Sequence, residues 1–492
     1  MIADTPGLRS RPVAQHLWRG PRSWHSPLWD STQDLDAWFA VLLEVVMKPT
    51  FRPASLSHPL IMSSLRSFPS TSTLSLALES AATTPDRSAA HTPEPVEPHY
   101  NLVDSVPRSY VMVLGGLGYI GSHTTLELLQ EGYNVIVVDN LSNSYEDVLS
   151  RIRLLATKYL LAQRKPMPTL RLAKLDYRSP EMRQLLADYT AVGSSISAMI
   201  HFAAFKSVSE SIENPLAYYR NNVSGLVDLL ILMGEYNIKE FVFSSSATVY
   251  GARSNLGKPL LEHDLVHFDE PSVEDDGTDG LRLNGALGLT CPYGRSKYFA
   301  EAILADLAKA DPSMRITALR YFNPVGCHSS GLIREDPRQK PTNLFPVVAS
   351  VMQGKQEQLN VFGSDWDTRD GTAVRDFIHV VDLAQGHIAA LRAASSPDRK
   401  DAFRAYNLGT GNGMTVAEVI ASFEAAAHKP VPAVLGPRRE GDVGSCVAAT
   451  TRAERELGWR ATRTVDDCAR DCWNALTLGH ADLASKPSAT QC

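Results

Sequence analysis

The chain has 492 residues, 44% hydrophobic and 21% charged, which suits two or three packed domains and excludes a collagen-like, wholly disordered or disulfide-scaffold protein. Its 48 Lys and Arg against 54 Asp and Glu leave a formal charge of −6, so neither nucleic acid nor an anionic membrane is an expected partner. The six cysteines (Cys291, Cys327, Cys446, Cys468, Cys472, Cys492) include no C-x-x-C pair, which argues against a zinc site and for a reducing compartment, the cytoplasm.

Residues 1–107 read as a low-complexity, disordered extension. They hold 13 of the 30 prolines, and ten serines fall between Ser55 and Ser88, a composition that buries too little apolar surface to offset chain entropy. Its one apolar helical stretch, Leu35 to Met47, is interrupted by Asp36 and Glu44 and is too short to span a bilayer. From Ser109 the texture changes. The β-branched runs YVMVLGG, NVIVVDN, AMIHFAA, EFVFSSS and RITALRY alternate with helix-length segments (Thr124 to Gly132, Leu216 to Tyr236, Tyr298 to Ala310). That alternation predicts an α/β fold, a doubly wound parallel sheet of Rossmann type over 108–321. Within it, 252–291 carries eight acidic and three basic side chains with little periodicity, and reads as a long surface loop. Beyond Phe322 the alternation becomes irregular, which predicts a smaller C-terminal α/β substrate domain over 322–480. The segment near 375–395 is open to packing back on the first domain, and 481–492 forms a tail.

Two constellations carry chemistry. The first strand runs into Gly115-Gly116-Leu117-Gly118-Tyr119-Ile120-Gly121 and then a helix, the pattern that lets a pyrophosphate approach backbone N–H groups at a helix N-terminus. A packing turn would look the same in isolation. The next strand, however, ends in Asp139, where a carboxylate bonds an adenosine ribose, and positions 140–144 offer no Arg or Lys for a 2′-phosphate, so NAD is favoured over NADP. The second constellation is Tyr293-Gly294-Arg295-Ser296-Lys297 opening a helix. Tyr and Lys at i and i+4 share one face, and a nearby ammonium favours the phenolate of a general base. Ser244-Ser245-Ser246 ends an earlier strand, where a hydroxyl lies at the cofactor crevice. His263 and His267 in the acidic loop read as solvated side chains, and no metal site is expected.

The ordered blocks GGLGYIGSHT, VVDNLSNS, HFAAFKSVSESIENPLAYYRNNVSG, SSSATVYG, PYGRSK, LRYFNPVG, NLFPVV, VRDFIHVVDLA, YNLGTG and PRREGDV resemble the UDP-glucose 4-epimerases of the extended short-chain dehydrogenase/reductase superfamily, from about Ser109 to Asn474. The resemblance implies an isomerase of galactose metabolism that interconverts UDP-galactose and UDP-glucose by transient oxidation at C4′ with retained NAD. It implies that NAD is held by Gly115, Gly118, Tyr119, Ile120, Gly121, Asp139, Asn140, Asp176, Phe202, Ala203, Ala204, Lys206, Asn221, Tyr293, Lys297 and Phe322. Tyr293 is then the base, Ser246 its hydroxyl partner and Lys297 the third catalytic residue. Thr248, Asn323, Asn343, Leu344, Asn360, Phe362, Arg375, Arg439 and Asp442 fall where the family grips the UDP-sugar, and Cys446 where room for a 2-substituent is set. A small residue there extends the expected range to UDP-GalNAc and UDP-GlcNAc. Related dehydratases and decarboxylases carry acids after the serine, whereas this chain has Ala247 and Thr248, which favours simple epimerisation. Family members are commonly homodimers through paired helices. A pentose or uronate nucleotide-sugar epimerase and a catalytically silent NAD and UDP-sugar sensor stay open as alternatives.

Overall fold

The computed structural model describes residues 106–268, 286, 288–336, 338, 341, 343–439 and 442–478. The expected N-terminal extension up to residue 105, the acidic stretch 269–285 and the tail 481–492 lie outside the described residues. In chain order the elements are β1 (Ser109–Leu114), α1 (Tyr119–Gln130), β2 (Val135–Val138), α2 (Asp147–Ala162), β3 (Leu170–Ala173), α3 (Pro180–Ala191) and β4 (Ser195–His201). Next come α4 (Val208–Glu213), α5 (Pro215–Tyr219), a π turn (Arg220–Ser224), α6 (Gly225–Glu235), β5 (Glu240–Ser246), α7 (Pro292–Ala310), β6 (Arg315–Tyr321) and β7 (Asn323–Val325). The rest of the chain gives α8 (Leu344–Met352), β8 (Leu359–Phe362), β9 (Val374–His379), α9 (Val380–Ala394), β10 (Phe403–Leu408), β11 (Gly413–Thr415), α10 (Val416–Ala427), β12 (Ala433–Gly436), β13 (Ser445–Cys446), α11 (Thr451–Leu457) and α12 (Val465–Thr477).

Seven strands form one sheet in the order β10-β6-β5-β4-β1-β2-β3, every pair parallel. Strand order reverses between β1 and β4, and in such sheets the crevice beyond the carboxyl ends at that switch point takes the ligand. Side chains alternate across the sheet. Met112, Leu114, Phe241 and Phe243 pack under the helices of one face, while Val111, Val113, Val242 and Leu319 pack under the other. The outer strand β10 comes from well beyond residue 321, after α9 has packed back against the Rossmann layers, where Leu383, Ile388 and Leu391 join the second face.

A smaller lobe carries β9 with β7, β11 and β13 as partners, a β8–β12 pair, and the core around Phe345, Phe377 and Phe423. Phe377, where related sequences often hold Tyr, stands in that core 6.0 Å from Phe345, so the missing hydroxyl leaves an apolar contact. Asp376 joins the lobe together. Fully buried, it accepts from the N–H groups of Thr410 (2.8 Å), Gly411 (3.0 Å) and Ala448 (3.1 Å) and from the Thr410 hydroxyl (2.7 Å).

The expectation of a surface loop over 252–291 needs correcting for its first part. Ser254, Leu260, Glu262 and Leu265 are buried, Leu260 bridges to Ala448, and the Glu262 carboxylate accepts from the Asn407 N–H at 2.9 Å. Polar residues go inside here because each finds a partner at a specific distance in sequence, which no local periodicity records. Asp376→Ala strips four donors of their buried acceptor and is expected to cost about 3 kcal/mol in chemical denaturation, with the neighbouring Arg375 loosened.

Candidate active site

The glycine turn after β1 is dictated by close backbone packing. Gly115 has φ +77°, and a Cβ there would stand 2.9 Å from Ala203 N; at Gly121 it would stand 2.2 Å from the Gly115 carbonyl oxygen. Gly118 is different: a Cβ there would meet only the Gly115 oxygen, at 3.3 Å, so its open side faces the crevice. It is the N-cap of α1 and no side chain caps that end, which leaves first-turn N–H groups for an anion. These observations fit the diphosphate of a dinucleotide.

Asp139 ties the same turn down. Its carboxylate accepts from Leu117 N–H (2.9 Å), Leu141 N–H (2.9 Å) and the Ser144 hydroxyl (2.7 Å), so it orders both loops of the expected ribose pocket. Asn140 donates to Asp176 at 3.2 Å, and Arg178 holds Asp176 through Nε (2.8 Å) and Nη2 (2.6 Å), pulling its carboxyl down to about 2. Arg178 is thus a cation beside the expected adenosine pocket that the sequence alone did not single out, although Asp176 neutralises it. Tyr119 donates to the Gly326 carbonyl at 2.7 Å, with the Lys206 ammonium 5.9 Å from its ring centre. Lys206 pairs with Glu335 at 2.8 Å, and Asn343 donates to the same carboxylate at 3.1 Å, which joins an expected cofactor residue to an expected substrate residue.

The π turn serves the centre of the site. Extra residues in a helix re-aim side chains, and here Asn221 and Asn222 are both buried. Asn222 clasps Phe205 through its N–H (2.9 Å) and carbonyl (3.0 Å) and donates to Ser296 Oγ at 3.0 Å; Ser296 donates to the Tyr293 carbonyl at 2.7 Å. Asn221 donates to Asn222 at 2.9 Å.

Helix α7 starts at Pro292, which suits the first turn because its missing N–H is not needed there. Gly294 lets that turn approach β5, since a Cβ would stand 3.1 Å from the Thr248 carbonyl. Tyr293 and Lys297 therefore face the ends of the three serines. Ser246 Oγ accepts from Thr248 N–H (3.2 Å) and Thr248 Oγ1 (3.0 Å), so its own proton is left to donate to the Tyr293 phenol. Lys297 is buried, donates to the Ser244 carbonyl at 2.5 Å and to Ser244 Oγ at 3.3 Å, and lies 4.7 Å from the Phe243 ring centre.

Burial raises Tyr293 to about 12 despite the Ser246 hydrogen bond, and burial lowers Lys297 to about 7 against the charge of Glu301. The expectation that Lys297 draws Tyr293 toward its phenolate is therefore not met by the protein alone, because burial outweighs the Ser246 hydrogen bond.

In the smaller lobe, β13 sets Cys446 beside Arg375. Arg439 pairs with Asp442 at 3.0 Å and lies 5.1 Å over the Phe362 ring, itself 42% exposed. Burial lowers Arg375, while Cys446 is pushed up to about 11 by burial with Arg375 and a Ser254 hydrogen bond opposing. Asn323 donates to the Asp376 carbonyl at 3.2 Å. Asn360 is exposed on β8, Leu344 opens α8, and Phe322 is buried against Tyr250. Phe202, Ala203 and Ala204 follow β4, with Phe202 and Ala203 beside the glycine turn and Ile120 in the first turn of α1. Of the two loop histidines, His263 is exposed and His267 turns inward to Glu301.

A parallel sheet whose switch point carries a glycine cradle, with a Ser-Tyr-Lys group at its edge, defines a nucleotide-dependent enzyme of the extended Rossmann class. The match of residues 111–409 to the NAD dependent epimerase/dehydratase family places the chain in that family, to which it belongs. It is 42% identical over 376 residues to a UDP-glucose 4-epimerase of Dictyostelium discoideum, covering 76% of this chain and 98% of that protein. A UDP-glucose 4-epimerase of Bacillus subtilis is 43% identical over 74% of this chain and 95% of its own. The crystal structure of UDP-glucose 4-epimerase from Bifidobacterium longum in complex with NAD+ and UDP superposes with a TM-score of 0.64 at 42% identity, covering 76% of this chain and 99% of that one.

Gly121→Ala forces a backbone shift in the cradle and is expected to yield protein that releases its NAD on gel filtration, whereas the wild type carries nucleotide measurable after acid denaturation.

Proposed function

We propose that the protein is a UDP-glucose 4-epimerase that interconverts UDP-galactose and UDP-glucose with NAD kept in place. The observation that carries this reading is the Ser246–Tyr293 hydroxyl pair beside Lys297 at the end of β5, in a chain with no acid at 247 or 248. Bound NAD supplies a two-electron acceptor that takes hydrogen from carbon 4 of the sugar and gives it back. Everything else falls to the chain. Tyr293 holds the proton of the 4-hydroxyl, Ser246 donates to the phenol oxygen, and Lys297, held by Ser244, stands at the base of the pair. Arg375 and Arg439 suit a diphosphate, since guanidinium matches its oxygens with paired donors. Gripping UDP and leaving the hexose loosely held lets the sugar present either face to the same two hydroxyls. Free Cys291, Cys327, Cys446, Cys468 and Cys472 suit a reducing compartment and support a cytoplasmic place for this reaction. Among the described residues no helix is long and apolar enough to cross a membrane.

Purified wild type should convert UDP-galactose without added NAD. Tyr293→Phe should lower kcat by about 10²- to 10⁴-fold and keep its nucleotide; conversion at the wild-type rate would refute the role given to Tyr293.

The surroundings of Cys446 favour a wider substrate range. A thiol beside Ser254 and Arg375 leaves more room than a phenol ring, which supports turnover of UDP-GalNAc. Cys446→Tyr should abolish that turnover and spare UDP-galactose; wild type inert toward UDP-GalNAc would remove this extension.

The exposed apolar side chains Leu216, Val227, Ile231 and Phe299 lie along α5, α6 and α7, with Phe299 packed 6.1 Å from Tyr219. Such a helix face supports a homodimer through a second copy of the same helices. Ile231→Lys with Phe299→Glu should halve the mass seen by light scattering; a wild type already monomeric would contradict the dimer.

A further inference from the structure

Glu301, one turn beyond Lys297 and two beyond Tyr293 on α7, is a fully buried carboxylate with a full set of partners. Its Oε1 accepts from the Ser245 hydroxyl and from Arg320 Nε at 3.1 Å. Its Oε2 accepts from Arg320 Nη2 at 2.7 Å and from His267 Nε2 at 3.2 Å. Arg320, on β6 opposite Ser245, spends its remaining donors on Tyr250 OH (3.0 Å), Glu262 O (3.0 Å) and Leu265 O (3.0 Å). Burial would raise Glu301, yet Arg320 and the His267 hydrogen bond hold it well below the usual carboxylate range, so it stays ionised.

Three consecutive serines of β5 are therefore each fixed to one helix: Ser244 to Lys297, Ser245 to Glu301 and Ser246 to Tyr293. We infer that Glu301 is a positioning residue of the epimerisation site, and that His267, from the segment ahead of the catalytic helix, acts on turnover through it. The inference rests on the epimerase reading above. Its geometry is that of a clamp. The ring of His267 packs 5.3 Å from Tyr298 and 6.0 Å from Phe403, which aims Nε2 at the carboxylate. Without that donor, Glu301 has one fewer restraint and Ser245 follows it, which moves the hydroxyl of Ser246 relative to Tyr293. Among the described residues, His267 and Glu301 meet Ser245, Arg320, Tyr298 and Phe403, none of which belongs to the expected UDP-binding set, so binding should be spared.

Three variants test this in the full chain with its bound nucleotide. His267→Phe keeps the ring packing and removes the donor; His267→Gln restores an N–H; Glu301→Gln removes the charge. His267→Phe should lower kcat for UDP-galactose about tenfold with KM within about twofold, since small misplacements at a reacting centre have effects of this order. His267→Gln should recover most of it, and Glu301→Gln should lose more, about 100-fold. Should Glu301→Gln fail to fold, the His267 pair decides, because both leave the Glu301–Arg320 ion pair intact. Unchanged kcat in His267→Phe, or equal losses in His267→Phe and His267→Gln, overturns the inference. An inactive wild type overturns the epimerase reading instead, and the two failures are distinct.

Discussion

The ion pair of Glu301 and Arg320 is the interaction on which the rest of the site depends. A buried pair gains little net energy, because desolvation offsets attraction, but removing one partner leaves an uncompensated charge and is strongly destabilising. The pair thus enforces arrangement more than stability. It holds α7 against the ends of β5 and β6, and through the Arg320 donors it draws in Tyr250, Glu262 and Leu265, each from the stretch between β5 and α7. The network then continues: Tyr250 donates to Asn407 at 2.6 Å on β10, and Asn407 donates to the Leu260 carbonyl at 2.8 Å. One set of buried polar contacts fixes the outer strand, the segment ahead of the catalytic helix and the serines together.

The two ends of the site obey different physics. At the nucleotide end the backbone does the positioning, with glycines admitting close approach and Asp139 pinning the two loops, so single atoms of bulk decide the outcome. At the catalytic end buried side chains do it, so charge and donor count decide. This division fits an enzyme whose NAD stays in place while the sugar must turn. A rigid cradle serves the first need, and a pair of hydroxyls that meets either face of the sugar serves the second. It also accounts for Tyr293 and Lys297 both being driven toward their neutral forms by burial, to about 12 and about 7. The protein alone leaves the phenol protonated, and a bound cation beside it would favour the phenolate.

Much of the fold and the primary site is legible in the sequence because it is local. The runs at β1, β2, β4, β5 and β6 are β-branched and bounded by turn residues, and the glycine pattern, the three serines and Tyr293 with Lys297 each sit within a few residues of one another. The features that the sequence hides are non-local. β3 is four residues long with two side chains half-buried, and β10 lies far from the other strands of its sheet. Glu301 reads as an ordinary helix-surface acid until β6 brings Arg320 under it. Glu262 and His267 sit in an acidic, aperiodic stretch, and only the fold supplies the partners that let them be buried. Glu335 is hidden for the same reason, defined by Lys206 on another loop, whereas Arg178 pairs locally with Asp176, two residues before it.

The central claim, that the hydrogen leaving carbon 4 is held in the site and returned, is tested most directly by converting UDP-galactose in D2O with purified protein and no added nucleotide. The account predicts UDP-glucose that carries no deuterium on carbon 4, because that hydrogen never exchanges with solvent. Deuterium at carbon 4, or conversion only when NAD is supplied in stoichiometric amounts, would contradict it.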